Sequence, residues 1–154
     1  MLAELLTDKS ISLNMKAESK EEAIEELVGL LQLSGSAPDR ESLVRSAMDR
    51  ENRMSTGLGK GVAVPRCRAE SVKGIRCSLG IKREGLAFDA LDNLPVKIFA
   101  MVAAPRKTDE IYVKVLSLLY RVLNQETFRS ELLKAGSAAE VITLMTEEEK
   151  EFED

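Results

Sequence analysis

Arginines at positions 50, 66 and 68, a cysteine at 67 and glycines at 57, 59 and 61 concentrate the chain's chemical potential in one short stretch. A guanidinium offers only donors and stays charged at neutral pH, so Arg50 and Arg66 can hold an anion but cannot act as nucleophile or base. Glycines at alternate positions leave backbone amides uncovered, and Gly59 and Gly61 are therefore expected to add donors to the same anion. Cys67 has two readings. Between Arg66 and Arg68 its thiol pKa would fall, making it a candidate reactive thiol for a cysteinyl-phosphate or redox role. The other reading is an inert small residue in a loop. Arg50, Arg53, Lys60, Arg66, Arg68 and Lys73 likewise read either as solvated surface or as the wall of a pocket for phosphate or a phosphorylated metabolite. The sequence contains no histidine, which removes the commonest general base and the commonest metal ligand together. No catalytic residue, metal site or cofactor is assigned.

The elements around this stretch follow from periodicity. Ile11 to Asn14 reads as a short first strand. Ser19 and Glu22 form a capping box ahead of a helix that puts Ala23, Ile24, Leu27, Val28, Leu30 and Leu31 on one face and runs to about Leu33. After Pro38, Asp39 caps a second helix with Leu43, Val44, Ala47 and Met48 inward, ending near Arg50. The glycine loop leads into a buried strand, Val62, Ala63 and Val64, whose pairing Pro65 ends. Arg66 is then expected in a loop just past a strand end, where α/β proteins keep their chemistry. The segment Gly57-Leu58-Gly59 precedes a strand and opens no helix, so it is not a dinucleotide-binding fingerprint.

Residues 74–81 alternate as a strand with one wetter face, and Cys77 belongs to its apolar side. Residues 83–95 are polar and turn-rich, with Asp92-Asn93 a tight turn. Residues 96–104 are apolar on both faces except Lys97, which marks a central strand. Thr108 or Asp109 would cap a third helix whose Val113, Leu116, Leu119, Tyr120 and Leu123 form a core stripe. A fourth helix over 127–135 closes at Gly136. Ser137 and Glu140 box the start of a short fifth helix through Leu144. The whole is an α/β (α+β) fold, a mixed sheet flanked by helices, with one domain over 1–146 and an acidic tail over 147–154 that frays.

Composition sets outer bounds. The 154 residues suit one core, and a net charge of -4 argues against a nucleic-acid partner. No apolar run reaches the roughly 20 residues that span a bilayer, so no direct membrane insertion is expected. The start lacks the basic flank of a signal peptide, and two cysteines make no disulfide framework. A cytoplasmic location is expected.

The central stretch resembles the type-2 EIIA domain of the bacterial phosphoenolpyruvate-dependent phosphotransferase system (PTS), which includes fructose- and mannitol-specific domains and the nitrogen-regulatory EIIA. The resemblance lies in Arg50-Glu51, Thr56-Gly57-Leu58-Gly59-Lys60-Gly61 and Val62-Ala63-Val64-Pro65. It continues through Glu84-Gly85, Phe88 to Asp92, Pro95-Val96, Ala103-Ala104-Pro105, Val115 to Leu119 and Glu140-Val141-Ile142. In that family a histidine after the proline accepts the phosphoryl group from a phosphocarrier and passes it to an EIIB partner, and a second histidine flanks it. Arg66 and Tyr112 stand at those positions here, while Arg50 matches a family arginine that contacts the phosphoryl group. The resemblance therefore implies a degenerate EIIA-like regulatory or binding module, a pseudoenzyme. Its partner would be phosphocarrier-like, EIIB-like or a transporter. The alternatives are an active phosphoryl carrier using Cys67 or Tyr112, and a sensor module associated with a membrane transporter. Tyr112 starts from an unperturbed phenol pKa of about 10 and has no base near it in sequence.

Overall fold

Both capping boxes close the helices that they predict. The Ser19 hydroxyl accepts from the Glu22 amide, starting α1 (Lys20–Leu33), and Ser137 does the same for Glu140 at the start of α5 (Ala138–Lys150). In each box the glutamate reaches one residue further back than expected, to the amides of Glu18 and Gly136. Asp39 caps α2 (Arg40–Arg53) by accepting from the Ser42 amide. The third and fourth helices are α3 (Glu110–Leu123) and α4 (Glu126–Lys134). This computed structural model describes residues 1–35, 39–107 and 110–153. The expected caps Thr108 and Asp109, and Pro38 before the second helix, lie outside the described residues.

Six strands form one sheet: β1 (Ile11–Ser12), β2 (Gly57–Gly59), β3 (Val62–Ala63), β4 (Arg66–Arg68), β5 (Arg76–Leu86) and β6 (Val96–Ala104). Their order is β1-β5-β6-β3-β2, with β4 also on β6. β5 and β6 are antiparallel; β1 on β5 and both β3 and β4 on β6 are parallel, which makes the sheet mixed. β6 is central and alternates between two cores, as a strand buried on both faces must. Ile98, Ala100, Val102 and Ala104 pack against α3, α4 and α5, whereas Phe99, Met101 and Ala103 pack against α1 and α2. The architecture is thus α/β, with helices covering both faces.

Four local expectations are corrected. The second helix continues to Arg53. β5 runs on to Leu86 through a register shift after Ile81, which lets polar residues remain in the strand. Pairing does not end at Pro65. Proline lacks an N–H but keeps its carbonyl, which accepts from the Val102 amide, so the chain rejoins β6 and Arg66 lies within strand β4. The acidic residues from Glu147 do not fray at once, because α5 continues to Lys150. There Glu149 is buried and accepts from the amides of Leu2 and Ala3 and from the Met1 amine.

Candidate anion-binding site

Strand periodicity decides which way the residues of β4 face. Arg66 pairs with Val102 and Arg68 with Ala104, both on the α3 side, while Cys67 pairs with Ala103 and enters the opposite core. Arg66 and Arg68 therefore share a face about 7 Å apart, two residues along a strand. Helix α3 runs past them in the opposite sense. The Arg66 guanidinium donates to the Tyr120 hydroxyl and lies 5.7 Å from that ring's centroid. The Arg68 guanidinium stacks 4.6 Å from the ring centroid of Tyr112. Tyr112, Leu116 and Tyr120 recur every fourth residue, so one face of α3 supplies both rings.

The third wall is α2. Ser42, Arg45, Ser46, Asp49, Arg50 and Arg53 all line a cleft of about 580 Å³, shared with Arg66, Arg68, Arg106 and Tyr112. Their spacing is i, i+3, i+4, i+7, i+8 and i+11, one face of a helix opposite the apolar one. The Ser46 hydroxyl accepts from the Arg68 amide, tying α2 to the outer edge of β4. The Arg50 guanidinium donates to the Met54 carbonyl at the helix end. Among the described residues, none of the arginines lining the cleft forms an ion pair. The Nε of Arg66 is buried and has no hydrogen-bond partner among those residues.

Arg50 and Arg66 thus reach the same cleft, but the expected glycine donors do not. Gly59 lies in β2, and Val62, its hairpin partner in β3, pairs with Ile98, four residues along β6 from the partner of Arg66. That places the glycine turn about 13 Å away along the strand direction. Two of its polar groups are also committed. The Lys60 amide donates to Asp92, and the Gly61 carbonyl accepts from the amides of Lys97 and Ile98. Positive φ at Gly59, Lys60 and Gly61 serves the tight hairpin. Two carboxylates brace it. Glu51, buried in α2, accepts from the amide and hydroxyl of Thr56 and pairs with Lys20 at 3.1 Å, and Asp92 closes the far side.

The reactive-thiol expectation for Cys67 is corrected as well. The residue is 1% exposed, its flanking arginines point to the other face of the sheet, and burial pushes its thiol up to about 12. Burial outweighs the arginines' charge. Tyr112 reaches the cleft but is 5% exposed, forming wall and not rim. Cys77 is core, as expected.

Sequence reasoning missed Arg45, Arg106 and Tyr120. The first was legible in the polar spacing of the second helix. Tyr120 was absorbed into the core stripe of the third helix, and only the packing of α3 on β4 shows its hydroxyl turned to Arg66. Burial raises the Tyr120 pKa, with Arg66 opposing the shift, so the phenol remains protonated at neutral pH.

A mixed sheet covered by helices on both faces, with a cleft beside β4, is the frame that comparison with known proteins places in a family. Residues 4–148 match the model of the family "Phosphoenolpyruvate-dependent sugar phosphotransferase system, EIIA 2", and the chain belongs to it. It is 32% identical over 149 residues to the PTS system fructose-specific EIIABC component of Bacillus subtilis, covering 97% of this chain but only 24% of that protein. The solved Nitrogen Regulatory Protein IIA-Ntr from Neisseria meningitidis superimposes with a TM-score of 0.86 at 32% identity, covering 93% of this chain and 97% of the other. Enzyme IIAMTL of Escherichia coli, solved in complex with phosphorylated enzyme IIBMTL, matches with a TM-score of 0.77 at 27% identity, over 92% and 97% of the two chains. No helix among the described residues is long and apolar enough to cross a membrane.

Proposed function

We propose that this chain is an EIIA-type regulatory or binding module that presents its arginine cleft to a PTS-type protein partner and carries no phosphoryl group of its own. The observation that supports this most is the pairing of Arg66 with Tyr120 in a chain without histidine. Phosphoryl transfer needs an in-line lone pair as well as groups that steady the equatorial oxygens. The cleft offers the second function in abundance and has only guanidinium where the first would be required. Neither rival acceptor is placed well: the Cys67 thiol is buried with its pKa near 12, and Tyr112 is buried against Arg68. Val113, expected in the core stripe of the third helix, is instead exposed, and with exposed Ile111 it flanks Tyr112 in the first turn of α3, apolar groups suited to a protein contact beside the charged cleft. The partner would be an EIIB-like or phosphocarrier-like protein, or a transporter-linked chain of the EIIABC kind.

Intact mass after incubation with phosphoenolpyruvate, the first PTS enzyme and its phosphocarrier tests this reading, with the double variant Arg66→His, Tyr112→His as control. No added phosphoryl mass on the natural chain is expected, with label on the control. A phosphoryl adduct on the natural chain would overturn it.

A further inference from the structure

We propose that the arginine cleft is a binding site for a small organic polyanion carrying two phosphoryl groups, held noncovalently along α2 and β4. This rests on the reading that the cleft holds an anion and does not accept a phosphoryl group. Three observations carry the step from one phosphate to two. First, the basic face of α2 runs from Ser42 to Arg53, a rise of about 16 Å along the helix. Second, Arg45, Arg50, Arg53, Arg66, Arg68 and Arg106 face one cleft against a single lining carboxylate, Asp49, and none is ion-paired among the described residues. A phosphoryl group is gripped bidentately by two or three guanidinium forks, so one phosphate would leave half of them facing each other uncompensated. Third, Arg66 is held by Tyr120 and Arg68 by Tyr112, from two positions of β4 whose Cα atoms lie about 7 Å apart on one face. These are two pre-oriented anchors, one for each phosphoryl group.

A volume of about 580 Å³ falls in the range of small-molecule sites. A phosphorylated side chain on a protein would bring one phosphoryl group and engage one end only. A nucleoside diphosphate and a sugar bisphosphate share the required chemistry, and the experiment separates them.

Calorimetric titration of the full chain with inorganic phosphate, pyrophosphate, ADP and fructose 1,6-bisphosphate tests the proposal. ADP or fructose 1,6-bisphosphate is expected to bind tenfold or more tighter than phosphate and at least as tightly as pyrophosphate, and which one does so identifies the source. Arg45→Ala and Arg68→Ala are each expected to weaken that probe about tenfold to a hundredfold, the worth of one charge-assisted contact. Both side chains are exposed, and Arg68→Lys, which keeps the charge but loses the fork and its stacking on Tyr112, is expected to weaken the probe as well. Equal affinity for phosphate and the two-phosphoryl probes, or no effect of either alanine, overturns the proposal. So does capture of a phosphorylated carrier protein by a chain that binds no small probe. The intact-mass assay runs alongside. A phosphoryl adduct there sinks the functional reading itself, whereas an unlabelled chain that binds no probe sinks only this inference.

Discussion

At the residue scale, burial decides what each group can do more than its neighbours in sequence. Cys67 lies between two arginines, yet the strand turns it away from both and into the core, where burial pushes its thiol up to about 12. At pH 8 only about one part in ten thousand would be thiolate, so a disulfide reagent should leave Cys67 unmodified in the folded chain and label it after denaturation. Rapid labelling of native protein would count against the buried placement. The raised value also fixes a sign: the stability that this group contributes is present below the ordinary thiol pKa of 9.0 and is lost as pH rises towards 12. Tyr120 is the reverse kind of residue, apolar by spacing and polar by position. Tyr120→Phe should cost about 1 to 3 kcal/mol in denaturant unfolding by leaving the Arg66 guanidinium short of a partner. It should also loosen whatever anion affinity depends on a fixed Arg66.

At the element scale, the glycine hairpin has a structural task that its residue types do not announce. The amides of Thr56 and Lys60 at its two ends are spent on two carboxylates, one from α2 and one from the turn after Phe88. Glu51→Ala would leave Lys20 and the Thr56 amide and hydroxyl without their buried acceptor, at a cost of about 3 to 5 kcal/mol. An urea melt reads it, and a loss under 1 kcal/mol would show that α1, α2 and the hairpin are not joined through this carboxylate. Asp92 supplies a pH signature. The amides of Leu94 and then Lys60 hold its carboxyl below the usual aspartate range. Its contribution is present above the ordinary value of 3.8 and is lost as pH falls through the depressed one, so the hairpin amides should exchange faster with solvent only in acid. In Asp92→Asn that extra acid sensitivity should vanish.

At the scale of the whole molecule, the last helix meets the first residues. Glu149, 5% exposed, accepts from the first residues at the far end of the sequence. Removing residues 147–154 should therefore lower the unfolding midpoint of the entire domain, and Glu149→Gln should reproduce much of the loss by removing charge from an acceptor of two amides. A truncated chain as stable as the full one would restore the reading of those residues as a detached tail.

The helices and the central strand were legible in the chain: serine-to-glutamate spacing placed two helix starts, and the unbroken apolar run over residues 96–104 marked the central strand, whereas β2 and β4 read as loop because glycine and arginine carry no strand signal until they pair with β3 and β6. Arg50, Arg66 and Tyr112 were legible as neighbours through the family resemblance, and the structure puts all three on one cleft. What the chain could not reveal was direction. Whether Cys67 or its arginines faced the cleft depended on the pairing of β4 with β6, because a shift of one residue turns every side chain to the other face. Whether the glycine amides met Arg66 depended on how far apart along β6 their strands dock. Local propensity and periodicity are set by neighbours in sequence, so they were enough to fix the helices, the long apolar strands and the cationic inventory. Only the tertiary structure could decide which of those cations converge, because convergence is a property of register and packing between segments distant along the chain.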